Sequence, residues 1–189
     1  KEKKLRVAHD LFCLSFYLGG INLIDLLQIN FKNVEVVEYV RTKSRNTTHG
    51  TRIISFSIPS QAKEIINIWM NKSTGKLDFG YKFSYPNFSR YLTRSLASLA
   101  KELGITDKVV YYSARKSFAQ YASEIGIPDG IIDYCLGHSD KSKGVIRYYT
   151  KVRQKQADMA LSRVIDYVNN PEKYKDYIEL RSDIMLMRG

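Results

Sequence analysis

The chain has 189 residues, 44% hydrophobic and 26% charged, a balance that folds into a core and excludes a disordered tail. Its 30 lysines and arginines against 19 acids leave a formal net charge of +11, which points to a polyanion partner, most simply nucleic acid. Two cysteines, Cys13 and Cys135, show no zinc-type or CxxC spacing and read as small buried residues rather than a disulfide framework.

From Glu2 to Leu18 the apolar residues Leu5, Ala8, Leu11, Phe12, Phe16 and Leu18 recur close to helical spacing, and Gly19-Gly20 breaks the run. The uncharged stretch Leu11–Ile24 is too short to span a bilayer, which needs about 20 apolar residues. A short helix resumes over Ile21–Gln28. Val34–Val40 alternates and is rich in β-branched residues, so it reads as a strand. Ser44–Gly50 is a polar turn, and Thr51–Ile58 is a second strand with Ile54, Phe56 and Ile58 on one face. Pro59-Ser60 opens a helix over Gln61–Met70. After a loop at Lys72–Gly80, a longer helix over Pro86–Leu103 carries Leu92, Leu96, Leu99 and Leu103 as a stripe. Helices follow at Ser113–Ile125, Pro128–Leu136 and about Lys155–Val168, with Gly104 and Gly126 placed to end two of them.

This order predicts an α+β fold, mostly helical, with one small antiparallel β-hairpin in the N-terminal third. Residues 1–170 form the domain. Residues 171–189 form a tail of balanced charge, whose Ile178, Ile184, Leu186 and Met187 are expected to dock on the body or on another protomer.

The basic residues are segregated. Eighteen of the 30 fall in four stretches without a single acid: Tyr39–Lys63, Phe79–Lys101, Lys108–Ser123 and Lys141–Ala157. A surface built only for solubility mixes the signs, so this pattern favours phosphate. Within these stretches and beside them lie the residue types that phosphate chemistry needs. Arg115 offers a planar two-pronged donor near a predicted helix start. His138 follows a Leu-Gly turn and adds a second donor, and Tyr149 carries a hydroxyl that can attack phosphorus. Arg41, Lys43 and Arg45 of the hairpin complete a basic pocket.

In this order the residues resemble the catalytic domain of the tyrosine recombinases, the phage-integrase family, over about residues 1–168. The resemblance rests on Gly20-Ile21-Asn22-Leu23-Ile24-Asp25, the hairpin lysine Lys43, Tyr112-Ser113-Ala114-Arg115, Leu136-Gly137-His138, and Tyr149. The hairpin residues Arg41-Thr42-Lys43-Ser44 resemble those of integrases from Bacteroides-type mobile elements.

The resemblance implies a site-specific DNA strand transferase that uses neither metal, ATP nor any other cofactor. Tyr149 would be the nucleophile, favoured over Tyr148 because Thr150-Lys151-Val152 follows it, and would form a 3′-phosphotyrosine. Arg115 and His138 would hold the phosphate oxygens, Lys43 would protonate the leaving 5′-oxygen, and Asp25 would brace the neighbouring basic residues. Double-stranded DNA is the implied partner, with a synaptic homo-tetramer for the full-length protein and a monomer for this piece alone. An N-terminal DNA-clamping domain is expected beyond this chain, and the implied setting is the bacterial cytoplasm, at the nucleoid rather than a membrane.

Two positions depart from the family pattern. Asn22 stands where the family has its first arginine, and Tyr112 where it has a histidine. Asn22 can hydrogen-bond a phosphate but supplies no charge, and Arg41 is the expected substitute, with Arg45 and Arg52 behind it. The reading from another functional class is a catalytically impaired DNA-binding regulator on the same fold.

Overall fold

A computed structural model describes residues 2–42, 53–138 and 150–187. Its elements run α1 (Glu2–Tyr17), α2 (Leu23–Leu26), β1 (Val36–Val40), β2 (Ile53–Ser57), α3 (Ser60–Trp69), α4 (Tyr85–Glu102), α5 (Tyr111–Glu124), α6 (Asp129–Cys135) and α7 (Thr150–Asn169). A 3-10 turn (Pro171–Tyr174) then leads into α8 (Lys175–Leu186). The fold is α+β and mostly helical, with a two-stranded antiparallel sheet.

The centre of the core is α1. Val7, Leu11, Leu14 and Leu18 repeat at three- and four-residue steps and are fully buried. That face meets α3, α4 and α5. From α4 come Phe88, Leu92 and Leu96, and from α5 come Ala114, Phe118 and Ala122. Each such leucine or phenylalanine contributes roughly 1.5–3 kcal/mol of burial. On the other side, α7 lays Ala157, Ala160, Leu161 and Val164 against β2, α6 and α5.

In the sheet, Val36 pairs with Ser57 and Val40 with Ile53. Ile54, Phe56 and Ile58 are buried as the alternation predicts. Ser55 is buried too, because the outer edge of β2 is also covered. The Ser55 N–H donates to Tyr134 Oη at 2.8 Å, and that hydroxyl donates back to the Ser55 carbonyl at 3.2 Å. The Ser57 N–H donates to Asp158 Oδ1 at 2.6 Å, and its hydroxyl to Asp158 Oδ2 at 2.9 Å. Side chains of α6 and α7 thus take the place of a third strand.

The tail is more ordered than its sequence suggests. Tyr174 donates to Asp166 at 2.7 Å and Lys173 pairs with the same carboxylate at 2.7 Å, which ties the 3-10 turn to the last part of α7. These partners hold the Asp166 carboxyl down at about 2. Arg181 then donates to the Ser123 carbonyl and, at 3.1 Å, to that of Glu124. Ile178 packs on the core, whereas Ile184, Leu186 and Met187 are exposed. Among the described residues no helix is long and apolar enough to cross a membrane.

Candidate functional site

Four chain segments meet around Arg115: the Gly19–Asp25 turn, the end of β1, the start of α5, and the Leu136-Gly137-His138 turn. Arg115 is the fifth residue of α5, two residues deeper than the helix start at Ser113 that the sequence suggests. The helix begins earlier because Tyr111 is anchored, its hydroxyl donating to the Ile21 carbonyl at 3.0 Å. Ser113 Oγ meanwhile accepts the Val110 N–H at 3.1 Å. The unpaired N–H groups of the first turn therefore do not adjoin Arg115.

The Arg115 side chain is 3% exposed and joins two turns. Nη1 donates to the Gly20 carbonyl at 2.8 Å and Nη2 to the Leu136 carbonyl. Gly20 has φ +75°, and a Cβ there would stand 2.9 Å from Arg115 Cα, so only glycine allows this approach. Burial lowers the pKa of Arg115, and the charge of Arg41 lowers it further.

Arg41 lies just past β1 rather than on the strand, because β1 ends at Val40. Its Nη1 donates to the Gly137 carbonyl at 3.4 Å. Its Nε is buried and has no hydrogen-bond partner among the described residues. The aliphatic stem packs against Gly137, where a Cβ would lie 3.4 Å from Arg41 Cδ and 2.5 Å from Ile54 Cδ1. Two guanidinium groups thus grip successive carbonyls, Leu136 and Gly137, of one turn. Tyr39 senses both: burial and Asp25 push its hydroxyl pKa up, while Arg115 and Arg41 pull it down. The arginines and Asp25 therefore share one local field.

Asp25 is buried and braces the segment that enters the hairpin turn. Its Oδ1 accepts the Thr42 N–H at 2.8 Å and the Thr42 hydroxyl at 2.5 Å. Asn22 reaches the other oxygen of Asp25 at 3.4 Å through Nδ2, so its amide faces a carboxylate. His138 leaves the turn with its N–H on the Asp133 carbonyl and Nδ1 2.8 Å from Asp133 Oδ1. A carboxylate on Nδ1 sets the ring as an Nδ1–H donor and fixes its orientation. Tyr112 is 51% exposed, lies beside Lys116, and is close enough to Arg115 to raise its pKa against the lowering by burial.

The structure thus brings Asn22, Asp25, Arg41, Tyr112, Arg115 and His138 into one neighbourhood. Lys43, Arg45, Arg52, Tyr148 and Tyr149 lie outside the described residues. Two members escaped the sequence reading. Thr42 shows no signal of its own. Asp133 does, as an acid five residues before His138 across a predicted helix end.

Arginines, a carboxylate-oriented histidine and a partnerless guanidinium N–H can hold a tetrahedral anion. Among the described residues no group of three or more His, Cys, Asp or Glu side chains is placed to hold a metal ion. No family model matches the sequence, and no curated protein and no solved structure matches it either.

Proposed function

We propose that the chain is the catalytic part of a DNA strand transferase of the tyrosine-recombinase type. The observation that carries this reading is the pair Arg41 and Arg115, two cations held side by side on the turn that presents His138. Like charges are brought together at a cost, which a bound phosphate offsets by neutralising both.

In this reading Tyr149 gives its phenol proton to water as Oη attacks the scissile phosphorus, the P–Oη bond forms and the P–O5′ bond breaks. Lys43 gives its proton to the departing 5′-oxygen. Arg41 and Arg115 neutralise the non-bridging oxygens as their charge grows, with Arg41 in the role left open by Asn22. His138, oriented by Asp133, adds a hydrogen bond. A 5′-hydroxyl of a second strand then attacks the phosphotyrosine and regenerates Tyr149, so the phosphodiester energy is conserved. Double-stranded DNA is the partner, a homo-tetramer on DNA the working assembly, and the bacterial nucleoid the place of action.

The test is incubation of the protein with a nicked cognate site, followed by denaturing electrophoresis. A covalent adduct that disappears in Tyr149→Phe and persists in Tyr148→Phe supports the reading. Tight binding without an adduct supports a regulator instead, a reading favoured by one observation: Arg115 spends two donors on backbone carbonyls.

A further inference from the structure

A cavity of about 420 Å³ opens next to the arginine site, and nothing in the proposed reaction uses it. Ile24, the neighbour of Asp25, lines it, and Tyr85 at its mouth lies close enough to Asp25 to feel that charge. Its floor is a buried pair, Phe79 and Phe88, stacked at 5.7 Å between centroids and backed by Trp69. Phe83 and Tyr85 also line it, yet they are 48% and 42% exposed. Phe83 stacks on Tyr81 at 5.5 Å and 12°, and Tyr91 Oη donates to Tyr81 Oη at 2.8 Å, which fixes the ring pair. Half-exposed rings held rigid beside a cavity are surface that a ligand covers at little entropic cost.

Charge selects the ligand. Lys3 and Lys4 of α1 stand 5.2 Å and 5.8 Å from the ring centres of Tyr81 and Tyr91. Those rings already carry cations, so a cationic guest such as a quaternary ammonium is repelled. Lys82, between Tyr81 and Phe83, is exposed, and no acid occurs from Phe79 to Lys101, which suits an anionic tether. Asp78, the acid among the lining residues, holds the Gly80 N–H through Oδ1 at 2.8 Å. Its Oδ2 has only a 3.5 Å contact with Asn71 Nδ2 among the described residues, and so keeps acceptor capacity for an amino group. A flat ring with an amino group, carried on a chain of phosphates, meets all three demands, and that is a nucleobase in a nucleic acid strand.

We propose that this cavity takes up a single unpaired base of the DNA, stacked on Phe83 and Tyr85, while the lysines meet the adjoining phosphates. The inference rests on the strand-transfer reading and says what that site does with the strand it handles. A strand that changes partners must leave its duplex, and the bases next to the cut are then unstacked. Stacking one of them on a protein ring recovers part of the lost stacking energy and holds the released end near the arginines. The volume lies within the range of small-ligand sites, about 300–1,000 Å³, and so admits a base.

The experiment measures binding of the full chain to three short duplexes of one sequence by fluorescence anisotropy at fixed salt. One duplex is fully paired, one carries an unpaired cytosine, and one carries an abasic residue in its place. The unpaired cytosine should tighten binding about 5- to 100-fold over both others, the range of a single base–aromatic stack. With 5-iodocytosine at that position, ultraviolet irradiation should crosslink the strand to the peptide that contains Phe83 and Tyr85. Phe83→Ala should remove most of the gain and Phe83→Trp should keep it, with circular dichroism confirming that both variants fold. Equal binding of the three duplexes overturns the proposal and leaves the DNA reading standing, and this is the result if the cavity instead takes an apolar side chain of another protein. A gain that survives Phe83→Ala, or a crosslink that maps elsewhere, overturns it as well. Failure to bind any of the duplexes overturns the DNA reading itself, and the proposal with it.

Discussion

Arg115 and Arg181 make the same contact near opposite ends of α5, yet their settings differ. Each gives its guanidinium to two backbone carbonyls, Arg115 to Gly20 and Leu136, Arg181 to Ser123 and Glu124. Arg115 does so from the interior and ties together turns far apart in sequence. Arg181 does so from α8, a helix with no buried residue, and places its charge at the negative end of α5. When Arg181 lets go, water takes its place. When Arg115 lets go, two carbonyls are left in a site that water scarcely reaches. The same hydrogen bonds are therefore structural in one place and a trim in the other, and burial decides which.

Substitutions test that contrast. Arg115→Ala should lose about 3–5 kcal/mol in urea unfolding, from two unsatisfied carbonyls and the emptied volume. Arg115→Lys should recover little of it, because one ammonium cannot span both turns. A loss below about 1 kcal/mol would mean water replaces both bonds, and the contrast would collapse.

Arg41→Ala sharpens the contrast on the functional side. Adduct formation should fall about 100- to 1,000-fold. Stability should move by less than about 1 kcal/mol, since among the described residues the Arg41 guanidinium makes only a long bond to the Gly137 carbonyl. Near-normal cleavage removes Arg41 from the site.

Gly20→Ala probes the same interior node through sterics. It should cost about 1–3 kcal/mol, from strain at positive φ and the approach to Arg115. Gly104→Ala is the control, because φ there is +71° with open space around it. It should cost only the left-handed backbone penalty, about 1–2 kcal/mol. Equal thermal shifts in the two variants would show that the Gly20–Arg115 contact has room to relax.

Arg181→Ala should have the smallest effect, about 0.3–1 kcal/mol, read as a shift in melting temperature that added salt diminishes. Hydrogen exchange should show α8 loosening while α1 stays protected.

The elements with a strong apolar period were legible before any coordinates. The α1 stripe, Leu92 and Leu96 of α4, and the Ile54, Phe56, Ile58 face lie where the spacing put them, whereas Leu103 falls past the end of α4 and is exposed. The helix α8 was not legible, because it has no apolar stripe. It is held by Arg181, Ile178 and the turn around Asp166, contacts that join positions distant in the chain. The motif order identified Arg115, His138 and Asp25 as members of one neighbourhood. It did not reveal that Arg115 also ties two backbone turns together, since a carbonyl partner 95 residues away leaves no local trace.

The cover on β2 has a consequence for how this protein meets other chains. With Ser55 and Ser57 already bonded to Tyr134 and Asp158, the outer edge of the sheet presents no open ladder at those positions. A foreign strand cannot extend the sheet there without first displacing α6 and α7, which protects a two-stranded sheet from templating aggregates. Any partner docking on that side must engage helix side chains, and its specificity rests on their shape and charge rather than on backbone pairing.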